Sequence, residues 1–154
     1  MAIEIALVLF LLIIVGLWAL FTAQRLNSLH IRTDASLAQL QAALDRRAAV
    51  TAAVAPSLAA LAQRAESTEL YQGHFEPRTM AERELSAAIV REFPADRRPA
   101  ALADAEGRIQ LAHRFYNEAV SDTRALRLRP AVKWLRLGGT AKLPEFFELS
   151  QIDV

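Results

Sequence analysis

The chain has 154 residues, Lys+Arg 18 against Asp+Glu 17, a formal charge of +1 and 53% hydrophobic residues. That length holds one domain, or one small domain plus an anchor. The absence of Cys excludes disulfides, thiolate metal sites, iron–sulfur clusters, cysteine nucleophiles and lipoprotein acylation, and the near-neutral balance argues against a whole-protein nucleic-acid footprint.

Residues from Ile5 to Phe21 (IALVLFLLIIVGLWALF) run without a charge or a strongly polar side chain. At ~1.5 Å per residue this makes roughly 25 Å of helix, and Ile3, Thr22 and Ala23 bring it close to the ~30 Å hydrocarbon core. Glu4 sits at the N-terminal edge, where water and the helix dipole favour a carboxylate, and Trp18 lies near the other edge, at interfacial depth. A cleaved signal peptide would begin with Lys or Arg and end in a small-x-small site, and neither is present. Residues 1–23 therefore read as a transmembrane anchor, with residues 3–23 in the bilayer. Arg25, Arg32, Arg46 and Arg47 follow the span, so the positive-inside rule puts the N-terminus outside and the rest in the cytoplasm.

Beyond the span the apolar pattern continues as a heptad. Leu37, Leu44, Thr51, Leu58 and Ala65 form one register, and Leu40, Arg47, Val54 and Leu61 the other, as in coiled coils and bundles. Pro56 should kink this helix near residues 52–55. Glu66 to Arg78 reads as the turn at its far end, through Gly73 and Pro77. Thr79 and Glu82 have the spacing of a capping box for a helix with Leu85, Ala88, Ile89 and Phe93 on one face, ending at Pro94. Asp96 is placed to cap the next helix, with Pro99 in its first turn. There Leu102, Ala105, Ile109, Ala112, Tyr116, Ala119, Thr123 and Leu126 alternate by 3 and 4 until Pro130. These stripes have only each other to bury against. The expected fold is all-α: an N-terminal transmembrane helix continuing into an elongated antiparallel helical bundle over 24–128, with a basic and aromatic tail over 129–154.

Several segments together resemble the LemA family of bacterial membrane proteins. Arg108 to Val120 (RIQLAHRFYNEAV) is similar to that family's arginine-phenylalanine-tyrosine-asparagine stretch, carried here by Arg114, Phe115, Tyr116 and Asn117. Pro144-Glu-Phe-Phe-Glu148 resembles its C-terminal element, through Pro144, Phe146 and Phe147. Leu44-Asp-Arg-Arg47 falls where the family has leucine-x-arginine-arginine, so Arg46 and Arg47 match. The departures are the missing tryptophan near Leu37, a Pro56 about one turn late, and a short, unlike stretch over 62–84, as in a divergent branch. The resemblance implies an N-out anchor and a cytoplasmic bundle, and no defining biochemical activity.

Candidate chemistry is sparse. His30 with Asp34, and His113 with Asn117, are i,i+4 neighbours, but neither pair has further ligands at zinc spacing, and a solvated helix face explains both. Gly138-Gly139-Thr140-Ala-Lys142 lacks the spacing and the strand of a phosphate loop. Arg47 occupies a stripe position, so its guanidinium must snorkel outward or meet a carboxylate, with Glu92 and Glu106 as the expected partners. Tyr116 should be core with its hydroxyl paired to a neighbouring helix, Asn117 should satisfy a polar group at the helix crossing, and Phe146-Phe147 should staple the tail to the bundle.

Between Asp122 and Glu145 there are six basic residues and no acidic one: Arg124, Arg127, Arg129, Lys133, Arg136 and Lys142, interleaved with Trp134 and several Leu. Such a segment can lie on an anionic bilayer, grip an acidic partner, or fold its apolar side back onto the bundle. A three-helix path carries it away from the anchor, which weighs against contact with the same membrane. The surface of interest is Arg127, Arg129, Lys133, Trp134, Arg136 and Lys142. The sequence reads as a non-catalytic, membrane-anchored interaction or scaffolding protein with no cofactor or metal. Its expected partners are the bilayer and a protein of unknown identity, with self-association open. Binding of anionic lipid or nucleic acid through the tail is the alternative, and an enzyme with an unrecognised site is the remaining one.

Overall fold

The computed structural model describes residues 1–139 and 142–149, apart from the side chain of Ala95. Five α-helices carry these residues, with no named strand among them: α1 (Ala2–Val54), α2 (Ala59–Ser67), α3 (Glu76–Glu92), α4 (Ala100–Arg127) and α5 (Pro130–Trp134).

α1 is one uninterrupted helix of 53 residues, long and apolar enough to cross a membrane. Its two halves differ in environment. From Ile3 to Phe21 every large apolar side chain is exposed, Phe10 at 62% and Leu17 at 51%. From Thr22 onward a buried stripe appears: Leu26, Thr33, Leu40 and Arg47 fall seven apart, with Ser36, Leu44, Ala48 and Thr51 beside them. The heptad expected at Leu40 and Arg47 thus reaches back through Thr33 to Leu26.

Pro56 does more than kink the helix. Proline lacks an N–H and disfavours helical geometry in the residue before it, and Ala55 is extended at φ −136°, ψ 83°. A short 3-10 turn, Pro56–Leu58, then starts α2. Ala62 and Ala65 of α2 pack with Ala48 of α1. The carbonyl of Thr68, just past α2, and the carboxylate of Asp45 both accept from Arg78. The first helix therefore ends at Val54, just before Pro56, and residues 66–78 lie back beside Asp45, contrary to the expectation of a single helix through residue 65. Small Ala side chains on both helices let the returning segment approach closely.

Two expected caps are also replaced. α3 begins at Glu76, three residues before Thr79, and the Thr79 hydroxyl donates to the Phe75 carbonyl at 3.0 Å. Glu82 is engaged in buried ion pairs instead of capping. Asp96 falls in a 3-10 turn, Ala95–Arg97, and Pro99 is the N-cap of α4, which has no side-chain cap.

The core has three storeys along α1. Nearest the exposed apolar run, Leu26 packs with Leu126 and Val132. Next come Leu40 and Leu44 with Leu70, Ile109, Tyr116, Val120, Phe147 and Leu149. Farthest out, Ala48 packs with Ala62, Ala65, Ala81, Leu85, Ile89 and Leu102. Between the first two, the hydroxyls of Thr33 and Thr123 meet at 3.0 Å, and each also lies within hydrogen-bond reach of the carbonyl four residues earlier. As numbers rise along α1 from Leu26 to Ala48, their α4 partners fall from Leu126 to Leu102.

Candidate functional site

Arg47 is 1% exposed and pairs with Glu82, which is fully buried. Glu82 in turn accepts from Arg78 Nε at 2.8 Å, and Arg78 Nη2 donates to Asp45 at 2.8 Å. Two guanidiniums and two carboxylates thus neutralise one another. A lone buried charge would be strongly destabilising. The expected pairing of Arg47 occurs, with a different partner: Glu92 is exposed, and Glu106 pairs with Arg98 at 3.0 Å. Arg78 and Glu82, four apart on α3, carried the sequence signal of a local pair. What the sequence hid was that α3 faces Arg47. Arg46 beside it is exposed.

A second constellation joins α4 to the segment 142–149, which forms neither helix nor strand. Arg127 donates to the Lys142 carbonyl (2.9 Å), Arg124 to that of Pro144 (3.0 Å), and the Tyr116 hydroxyl to that of Glu145 (2.7 Å). His113 Nε2 (2.6 Å) and Asn117 Nδ2 (3.0 Å) both reach the Phe147 carbonyl. Since a carbonyl can only accept, His113 donates from Nε2. Asn117 Oδ1 also accepts the Phe147 N–H at 3.0 Å. These donors, at spacings of three, four and seven residues, share one face of α4 and satisfy backbone that belongs to no sheet. His113 is half-buried here, not on the solvated face expected for it.

Phe147 is 1% exposed and meets Phe75 edge-on at 5.3 Å. Phe146 is 46% exposed, with the Arg124 guanidinium 5.6 Å from its ring centroid, and Pro144 is buried. Arg114 and Phe115 face outward, the guanidinium 5.9 Å from the ring. Tyr116 is core, and its hydroxyl pairs with the tail backbone instead of a helix. Burial, with Glu145 and Asp34 nearby, holds its phenol well above the usual tyrosine range. Two of the three segments quoted for the resemblance, Arg114 to Asn117 and Pro144 to Phe147, are thereby brought together.

The basic residues sort into two groups. Arg124 and Arg127 bind tail carbonyls, and Gly138 makes room for Arg127, since a Cβ there would lie 3.0 Å from Nε. Arg129, Lys133, Trp134, Arg136 and the Lys142 side chain are exposed. Thr140 of the glycine-rich stretch, and residues 141 and 150–154 of the tail, lie outside the described residues.

His30 donates Nδ1–H to the Leu26 carbonyl at 2.8 Å, and it lines a cleft of about 310 Å³ with Asp34, Lys142 and Glu145. Among the described residues no group of three or more His, Asp or Glu converges as metal ligands would. Asp104 is held below its usual range by its hydrogen bond to Arg108 on the surface of α4. No family model, curated protein or solved structure matches the chain.

Proposed function

We propose that the chain is a LemA-type, single-pass membrane protein whose cytoplasmic part is an antiparallel helical bundle acting as a non-catalytic interaction scaffold. The observation that carries this reading is the division of α1. Its first turns leave Ile3 to Phe21 bare, while the same helix is covered from Leu26 onward by α4 and α5. Apolar surface of that extent is stable in a lipid environment and not in water. The descending pairs of α4 against α1 support the antiparallel arrangement, and the post-span arginines support an N-out orientation.

The polar groups support a scaffold over an enzyme. The buried charges of Arg47, Arg78 and Glu82 and the half-buried Asp45 engage one another, and His113, Tyr116 and Asn117 are engaged with backbone.

Topology is tested with single cysteines in the cysteine-free chain. Ala2→Cys should react with an impermeant thiol reagent on intact cells, and Glu69→Cys only after lysis. The reverse pattern refutes the orientation. Release of the full chain from membranes by alkaline carbonate refutes the span. Proximity labelling from the C-terminus should then identify membrane-associated neighbours as partners of the scaffold.

A further inference from the structure

α4 ends beside the exposed apolar run. Leu26, Leu126 and Val132 form one buried cluster, flanked by Leu29 and Leu137, so α5 is pinned against the first turns of α1 beyond Phe21. Leu26 stands five residues past Phe21, about 8 Å along the helix. The interfacial layer of a bilayer is roughly 5–7 Å deep on each side. The sequence expectation sent this segment away from the anchor by assuming three helices in down, up, down order. The reversal at Pro56 adds a helix and brings the chain back.

What α5 and its flanks present there is cationic and aromatic. Arg129, Lys133 and Arg136 are exposed and make no ion pair among the described residues. Trp134 is 85% exposed, and Leu128 and Leu135 are also exposed. A cleft of about 480 Å³ lies between Arg127, Lys133 and Arg136, over Val132 and beside Gly138 and Gly139. No acidic residue occurs from Thr123 to Pro144.

Arg136 adds a separate observation. α5 closes in a Schellman motif: Leu137 N–H bonds the Val132 carbonyl at 3.1 Å and Arg136 N–H that of Lys133 at 3.2 Å. Arg136 occupies the left-handed position at φ +50°, where glycine is favoured. A cation stands where the backbone prefers no side chain, and its own side chain is exposed.

We infer that Arg129, Lys133, Trp134 and Arg136 form a juxtamembrane foot that docks on anionic headgroups of the bilayer α1 is proposed to cross. This rests on the reading of α1 as a span. The cations attract lipid phosphates, Trp134 enters the interface, and Val132 couples the foot to α1 and α4.

The test uses the full chain with Trp18→Phe, which leaves Trp134 as the one tryptophan, reconstituted in phosphatidylcholine vesicles with or without phosphatidylglycerol. Carbonate extraction is run in parallel. With phosphatidylglycerol, Trp134 emission should shift to the blue and be quenched by brominated lipid. Raised salt, or Arg129→Gln with Lys133→Gln and Arg136→Gln, should reverse both. Each cation lost should weaken docking about fivefold. Arg136→Gly should weaken docking while raising the melting temperature, a combination that a purely structural role excludes. Water-like Trp134 emission in both vesicles, with the chain resisting carbonate, overturns the foot and leaves the anchor standing. Equal quenching with and without phosphatidylglycerol overturns the anionic-lipid assignment, as does a blue shift that appears only on adding nucleic acid or protein. Extraction by carbonate overturns both readings.

Discussion

Asn117 and Phe147 hold each other as two strands of a sheet would: the Asn117 amide accepts the Phe147 N–H and donates to its carbonyl, both at 3.0 Å. One side chain thus satisfies both backbone groups of a residue whose ring is in the core. Asn117→Ala should therefore destabilise the full chain by about 1–3 kcal/mol, the usual penalty for stranding partly buried polar groups. Asn117→Asp should be at least as damaging, because a carboxylate repels the Phe147 carbonyl. Thermal melts in detergent, with amide exchange at residues 142–149, check both. Unchanged exchange there in either variant refutes the clasp.

The four-charge network makes an asymmetric prediction. Glu82 serves two guanidiniums, whereas Arg47 serves Glu82 alone. Glu82→Gln should destabilise by about 3–5 kcal/mol, and Arg47→Met by distinctly less, because Glu82 keeps Arg78. Denaturant midpoints for the two variants give the order, and the reverse order refutes the assignment.

Tyr116 predicts an alkaline limit. Its phenol is held protonated by burial to a pH well above that of an unfolded tyrosine, about 10. The neutral form belongs to the folded state, so this contribution is complete below about pH 10. It is lost above that value, where the unfolded chain ionises first. Melting temperature should fall through an alkaline step that Tyr116→Phe lacks. An unaltered alkaline profile in Tyr116→Phe would exclude this residue as the cause.

Ile109 and Gln110 are adjacent on α4, one 3% exposed and one on the surface. Ile109→Asp places a carboxylate among Leu40, Leu44 and Tyr116 and should cost several kcal/mol. Gln110→Asp should change stability by no more than about half a kcal/mol. Equal melting of the two would mean that the α4 stripe faces elsewhere.

Much of this was legible in the sequence because it is periodic or compositional. The apolar run, the kink at Pro56, the helix ends at Pro94 and Pro130, and the stripe through Leu40, Leu44, Ile109 and Tyr116 are all local signals. The direction of the chain after Pro56 was not, since a heptad read through a break looks the same whether the chain continues or turns back. A chain that continues past Pro56 misplaces residues 66–78, offers Arg47 other carboxylates, and directs Trp134 away from the exposed apolar run. The tail clasp was hidden for another reason. Residues 142–149 form no helix or strand and pair with side chains, so no periodicity marks them; His113 reads as part of a solvated face, and Arg124 as one cation of the basic segment.

The unbroken run of α1 from Ala23 to Val54 also sets a length scale, roughly 45 Å of rigid rod between the proposed bilayer and the reversal at Pro56. Fields from lipid headgroups decay within about 8 Å at physiological salt. On this placement the two ends of the rod occupy different electrostatic worlds. Lipid composition can act on the end that carries Trp134, while the tip built from α2 and α3 meets its surroundings as a lipid-blind surface held at fixed height.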